Sequence, residues 1–152
     1  MPKKDFDEKD KYILRELLRN SKQSKLKIAK KISLSNAALS ERIKKLEKNG
    51  YINGYGCRVN YTKLGFEFMA VVEIHLNGKN LIEIEEEIAK IPSIGALWDT
   101  TGEYDAIAVV MCKNREELSI TIKKILAIKG VEKTNTNVVL NVVKRLTEFD
   151  GV

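Results

Sequence analysis

The sequence predicts an α+β protein of two units, an N-terminal winged helix-turn-helix followed by a ferredoxin-like βαββαβ domain. Three observations carry that prediction. Apolar residues recur at helical spacing over the first fifty positions. Beyond residue 60 the hydrophobic pattern switches between strand and helix periods in the order β-α-β-β-α-β. Charge divides at the same place: residues 1–60 hold sixteen Lys/Arg against seven Asp/Glu, a net +9, and residues 61–152 hold eleven against fourteen, a net −3.

Phe6, Tyr12, Ile13, Leu17 and Leu18 mark a first helix, with Asp5 or Asp7 as its N-cap. Asn20–Gln23 breaks the pattern. Ser24 opens a second helix expected to turn Leu26, Ile28, Ala29 and Ile32 inward. Ser33-Leu34-Ser35 is a turn, and Ser35 caps a third helix from about Asn36 to Asn49 that buries Leu39, Ile43 and Leu46. Asn49-Gly50 is a stop signal. Tyr51–Asn60 reads as a small wing or linking strand, and residues 60–65 separate domain 1–60 from domain 61–152.

In the second domain Phe66–Leu76 is strand-like. Leu81–Ile91 is a helix with Leu81, Ile84, Ile88 and Ile91 on one face and Glu83, Glu85, Glu86 and Glu87 in solvent. Ile94–Thr101 and Tyr104–Cys112 are strands joined at Gly102-Glu103. Arg115–Ile128 is a helix burying Leu118, Ile122, Ile125 and Leu126, and Val131–Val143 is the last strand. Helices cover one face of such a sheet. The apolar stretches Phe66–Ile74 and Val138–Val143 predict that a second copy covers the other, making at least a dimer. Trp98, the sole tryptophan, suits packing or an interface.

Composition narrows the function. The 152 residues, 43% hydrophobic and 32% charged, fit a soluble folded chain. The longest apolar run, Ala106–Cys112, is far short of the roughly 20 residues a membrane helix needs. The N-terminus lacks a signal-peptide core, so the cytoplasm is the expected compartment and no membrane the expected partner. Cys57 and Cys112 offer neither metal spacing nor a disulfide framework and read as buried, unpaired thiols. No metal or cofactor is expected.

The basic front suits a polyanion, and double-stranded DNA is the predicted partner. An evenly charged, heat-adapted surface would not divide in this way. On the third helix, 100° steps turn Ala37, Ala38, Glu41, Lys44, Lys45 and Lys48 outward. Ser35, Asn36, Ala37, Ala38, Ser40 and Glu41 form the candidate base-reading set. Small residues admit the backbone to the major groove, alanine suits a thymine methyl, and glutamate accepts from cytosine N4. Lys44, Lys45 and Lys48 suit phosphates, as do Lys25, Lys27, Lys30 and Lys31. Arg42 falls on the flank, where a phosphate or a carboxylate such as Glu47 or Asp10 could take it. The bland alternative is a helical hairpin with a solvated lysine face.

Leu34-Ser35, then Leu39 through Ile52 (Leu-Ser-Glu-Arg-Ile-Lys-Lys-Leu-Glu-Lys-Asn-Gly-Tyr-Ile), resembles the helix-turn-helix signature of the Lrp/AsnC (feast/famine) regulators. Asp7…Asp10-Lys11-Tyr12-Ile13-Leu14 resembles the stretch preceding it. Gly102-Glu103-Tyr104-Asp105 and Gly130-Val131…Thr134…Thr136 extend the likeness through the second domain. Ser33 departs from the family's frequent glycine, and at positive φ it would cost about 1 kcal/mol. The resemblance implies a transcription regulator that dimerises through its α/β domains, assembles into tetramers or octamers, binds pseudo-palindromic sites and responds to amino acids.

An amino-acid effector is a zwitterion needing donors for its carboxylate and acceptors for its ammonium. The hairpin Thr100–Asp105 offers both, with hydroxyls at Thr100 and Thr101 and anions at Glu103 and Asp105; the resemblance places the family's motif on Gly102, Glu103, Tyr104 and Asp105 and brings Thr134 and Thr136 near it. From the residues alone, Gly102-Glu103 reads more simply as a two-residue hairpin turn with Asp105 capping the ladder end, and the resemblance brings the effector reading level with it. Two competing functions remain. One is an architectural DNA-binding protein with no effector. The other is an enzyme, since relatives of this fold pair act in tetrapyrrole decarboxylation; the lone His75 and the lack of any triad, carboxylate pair or phosphate loop argue against catalysis.

Overall fold

A computed structural model describes residues 6–144. They form two compact units, residues 6–58 and Val59–Val142. The first holds α1 (Glu8–Arg19), α2 (Lys25–Lys31) and α3 (Asn36–Lys48). The second holds β1 (Phe68–Leu76), α4 (Leu81–Ala89), β2 (Ile94–Asp99), β3 (Ala106–Cys112), α5 (Arg115–Leu126) and β4 (Val131–Val138), preceded by a 3-10 turn at Thr62–Leu64.

Asp7 starts α1 through a capping box: the Asp10 amide donates to Asp7 Oδ1 at 2.9 Å and the Asp7 amide to Asp10 Oδ2 at 3.1 Å. Ser35 caps α3 by accepting from the Ala38 amide at 3.1 Å. Ser24 precedes α2 without a side-chain cap. Both α2 and α3 end in Schellman closures. Leu34 N donates to Ala29 O and Ser33 N to Lys30 O; Tyr51 N donates to Leu46 O and Gly50 N to Glu47 O. The left-handed residue is Gly50 (φ 74°) in one and Ser33 (φ 52°) in the other. Ser33 therefore occupies the left-handed region, where a serine costs about 1 kcal/mol. Ile13, Ile28, Ala29, Leu39, Ile43 and Leu46 make the core of this unit. Leu26 is 48% exposed, because α2 is only seven residues long and turns a single stripe inward. Leu18 and Tyr55 are exposed as well, along a groove of about 950 Å³ between α1 and residues 51–58. The Tyr51–Asn60 segment forms no strand, since no neighbouring strand accepts its backbone. Cys57 lies exposed within it, not buried as predicted.

The sheet order is β2-β3-β1-β4 with every neighbour antiparallel, the split unit foreseen from the element order. Ala70, Val72, Ile74 and Leu76 of β1 face the helices beside Ala106, Ala108, Val110 and Cys112 of β3. Ile88 of α4 and Leu118 and Ile125 of α5 pack onto that face. The alternate residues Met69, Val71, Ile107, Val109 and Met111 are half-buried on the other face, with Trp98 48% exposed opposite Ile107. β4 stops at Val138, short of the expected Val143: pairing with β1 ends at Ala70, and Leu140 and Val143 are exposed. Leu126 is exposed where α5 ends, two residues before the predicted stop. No helix among the described residues is long and apolar enough to cross a membrane.

Candidate nucleic-acid interface and ligand loop

Burial of Leu39, Ile43 and Leu46 on α3 leaves Asn36, Ala37, Glu41, Lys44, Lys45 and Lys48 exposed, with Ala38 and Ser40 at the margin. The outer side of the first turn therefore carries nothing larger than asparagine, and cations gather toward the other end. Lys44 Nζ lies 2.9 Å from Glu41 Oε1, one turn away, and that contact raises its pKa. Both partners are exposed, so the pair is weak and opens readily toward another anion. Lys25, Lys27 and Lys30 of α2 are exposed too. Lys31 is engaged: its ammonium sits 3.1 Å from the buried Glu16, whose hydrogen bond raises the lysine's pKa.

Arg42 turns away from the exposed face. Its Nη1 donates to Asp10 Oδ1 at 2.8 Å and lies 2.9 Å from Asp7 Oδ2. Of the partners open to Arg42, the carboxylate of Asp10 is the one it takes in the protein alone. The Asp10 hydrogen bond raises the Arg42 pKa. The Asp10 amide first, and Arg42 after it, hold the Asp7 carboxyl below the usual carboxylate range. Glu47, the other candidate partner, accepts instead from Tyr55 Oη at 2.6 Å, and burial together with Glu47 pushes the tyrosine pKa up to about 12.

In the second unit Thr100–Asp105 forms one loop between β2 and β3. Asp99 pairs with Ala106, Thr100 N donates to Asp105 O at 2.9 Å and Thr100 Oγ1 to Tyr104 O at 2.9 Å. This corrects the two-residue hairpin: the tip has four residues, 101–104. Thr101, Gly102 and Glu103 are exposed, and Gly102 at φ 144° adopts a backbone that other residues avoid. Asp105 is already bonded, its Oδ2 accepting from Leu76 N at 2.8 Å and lying 3.2 Å from His75 Nδ1. The Leu76 amide chiefly, and His75 next, lower its pKa. The Tyr104 ring lies 4.9 Å from His75, with Lys133 Nζ 5.8 Å from the tyrosine centroid. Thr134 pairs with Ile74 and Thr136 with Val72, so β1 stands between them and β3, about 10 Å across two strand spacings. The chain thus assembles Thr100–Asp105 but does not bring Thr134 and Thr136 into that loop.

Glu85 was expected in solvent. Its Oε1 is instead buried with no hydrogen-bond partner among the described residues, and burial raises its pKa, aided by Asp99 and Asp105. A uniform Glu run hides which member faces inward. The Asp7–Asp10 spacing, by contrast, is a capping-box signal visible in the sequence. No three His, Cys, Asp or Glu side chains among the described residues group to hold a metal.

A helix-turn-helix with a lysine-rich outer face, followed by a split βαββαβ domain, defines a DNA-binding transcription regulator with a ligand-binding domain. Residues 6–53 match the model for winged helix-turn-helix DNA-binding domains, and residues 69–149 match that for the Lrp/AsnC ligand binding domain. The chain belongs to the Lrp/AsnC family and is a regulator, not an enzyme. It is 44% identical to an uncharacterized HTH-type transcriptional regulator of Pyrococcus abyssi, over 91% of this chain and 95% of that one. The structure of E. coli AsnC superposes with a TM-score of 0.84 at 25% identity, covering 93% of this chain and 97% of that chain. A Neisseria meningitidis transcriptional regulator solved as its L-Met complex matches in fold, with a TM-score of 0.86 at 21% identity, covering 91% and 92%.

Proposed function

We propose that this regulator reads duplex DNA with the first turns of α3 and answers to an amino acid at the Thr100–Asp105 loop. The observation that carries the DNA reading is the shape of α3, small at its capped start and cationic beyond it. Asn36, Ala37, Ala38, Ser40 and Glu41 face base edges, while Lys44, Lys45, Lys25, Lys27 and Lys30 meet phosphates. A second copy covers the half-buried face of Met69, Val71, Ile107, Val109 and Met111, and two α3 helices then reach half-sites about 34 Å apart. Assembly beyond the dimer, to a tetramer or octamer, belongs to the same reading.

The effector reading draws on the ligand-binding domain and on the Neisseria regulator's complex with L-Met. The exposed Glu103 and the second oxygen of Asp105 suit an ammonium, and the Thr100 and Thr101 hydroxyls with the Gly102 amide suit a carboxylate. Thr134 and Thr136 join such a site only through another copy. The test is calorimetric titration of each of the twenty amino acids into the protein, alone and on a duplex selected from random DNA. Heat and a changed duplex affinity with some amino acid, both abolished in Asp105→Ala, support the reading. Twenty silent titrations refute the effector. Similar affinity for selected and random duplexes refutes sequence reading and leaves an architectural DNA-binding protein.

A further inference from the structure

Arg42 stands midway along the DNA-reading helix yet is held by two carboxylates at the start of α1, its N-cap Asp7 and Asp10 in its first turn. Asp10 is 4% exposed, and both its oxygens are used: Oδ1 takes the Arg42 guanidinium at 2.8 Å and Oδ2 takes the Asp7 amide at 3.1 Å. Asp7 mirrors it, with Oδ1 accepting the Asp10 amide and Oδ2 lying 2.9 Å from Arg42. The cap that starts α1 and the ion pair that grips α3 are therefore one closed network.

The apolar contacts beneath α3, through Leu39, Ile43 and Leu46, favour burial but not a direction. Aliphatic side chains tolerate a small rotation of the helix about its axis. A rotation of about 10° moves groups roughly 6 Å from the axis by about 1 Å, enough to break a base contact. A charge-assisted hydrogen bond with fixed geometry resists that rotation. Asp10 is buried while the Arg42 side chain is 32% exposed, and a pair so placed adds little net stability, so its fixed geometry bears on direction and not on strength.

We propose that Asp7, Asp10 and Arg42 clamp the rotation of α3, making Asp10 a positioning residue for sequence reading. The clamp rests on the DNA-reading proposal above and adds that discrimination, not attraction, depends on Asp10. Three full-length variants test it: Asp10→Asn, Asp7→Asn and Arg42→Lys. Each is titrated, with the wild type, against the duplex selected on the wild type and a scrambled duplex of equal length, over a series of salt concentrations.

The clamp predicts that Asp10→Asn lowers the selected-to-scrambled affinity ratio about tenfold, the discrimination of one base pair, with the salt slope unchanged. Asp7→Asn keeps a side chain suited to capping and lowers the ratio about threefold, as befits a half-exposed pair, and it decides the matter if Asp10→Asn fails to fold. Arg42→Lys keeps the charge but replaces the planar group whose Nη1 meets both carboxylates with a shorter, freely rotating ammonium, so the ratio falls while the slope holds. A steeper slope in Asp10→Asn, by about 0.9, with the ratio intact would show Arg42 released onto a phosphate and would overturn the clamp. Ratios equal to wild type in all folded variants overturn it too. A wild type that prefers neither duplex sinks the sequence-reading proposal itself, a separate outcome.

Discussion

In residues 6–58 the buried carboxylates Asp10 and Glu16 each meet a cation from the helix-turn-helix, Arg42 at 2.8 Å and Lys31 at 3.1 Å. In Val59–Val142 the buried Glu85 Oε1 meets no partner among the described residues, and Asp105 is held mainly by a backbone amide. Three short helices around a small core have few directional contacts, so ion pairs supply them. A four-stranded sheet already has direction in its ladder hydrogen bonds. The difference teaches where each unit's rigidity comes from: paired charge in the first, strand register and tight backbone turns in the second.

The largest test of that contrast falls at Gly130, at φ 99° before β4. A methyl there would overlap Ile84 Cδ1 and sit 3.0 Å from Asn77 O. Left-handed strain and overpacking together predict that Gly130→Ala destabilises the second unit by about 2–4 kcal/mol. Thermal unfolding followed by Trp98 fluorescence measures it, and a melting point within a degree of wild type would refute the tight-turn account. Next in size is Ser33, the first unit's left-handed residue, in a closure of the same form as that at Gly50. Ser33→Gly relieves about 1 kcal/mol of strain against a smaller entropic cost, for a net gain of about 0.5 kcal/mol. Circular dichroism at 222 nm should show a rise of a few degrees, and a fall would mean the turn is not strained.

The smallest effect concerns Glu85. Its folded pKa is raised, so the ionised form weakens the fold as pH climbs from the unfolded value toward the folded one. Glu85→Gln should raise the melting point at pH 7 by about 2 °C, and the gain should vanish below about pH 4, where the native glutamic acid is neutral in both states. Asp7 and Asp105 have the opposite sign: their lowered pKa values contribute stability above the usual carboxylate range, lost as pH falls through the folded values. A gain from Glu85→Gln that stayed constant with pH would contradict the buried charge.

Element order was legible because each helix and strand carries its own period and punctuation. Ser35, Gly50 and the alternation in Ala106–Cys112 are local signals that tertiary structure did not override. What stayed hidden depends on partners distant in sequence. Val139–Val143 reads as strand, yet regular pairing with β1 ends at Ala70 and Val138, with one further bond from Val139 N to Met69 O at 2.8 Å. Leu26 and Leu126 fit their helical stripes but sit at helix ends beyond the core. Cys57 looks like strand filling until its segment lacks a neighbour. Arg42 was ambiguous because its partners lie 32 and 35 positions away, and choosing between phosphate and carboxylate requires knowing how α1 crosses α3.

The exposed lysines of α3 give the most direct test that this helix meets DNA. Equilibrium binding of the Lys44→Ala/Lys45→Ala protein to a duplex, measured over a salt series beside wild type, reads the number of phosphates engaged. Weaker binding to every sequence, with the logarithmic salt slope shallower by up to about 2, is the predicted result. A slope equal to wild type would place the phosphate contacts elsewhere and take α3 out of the groove.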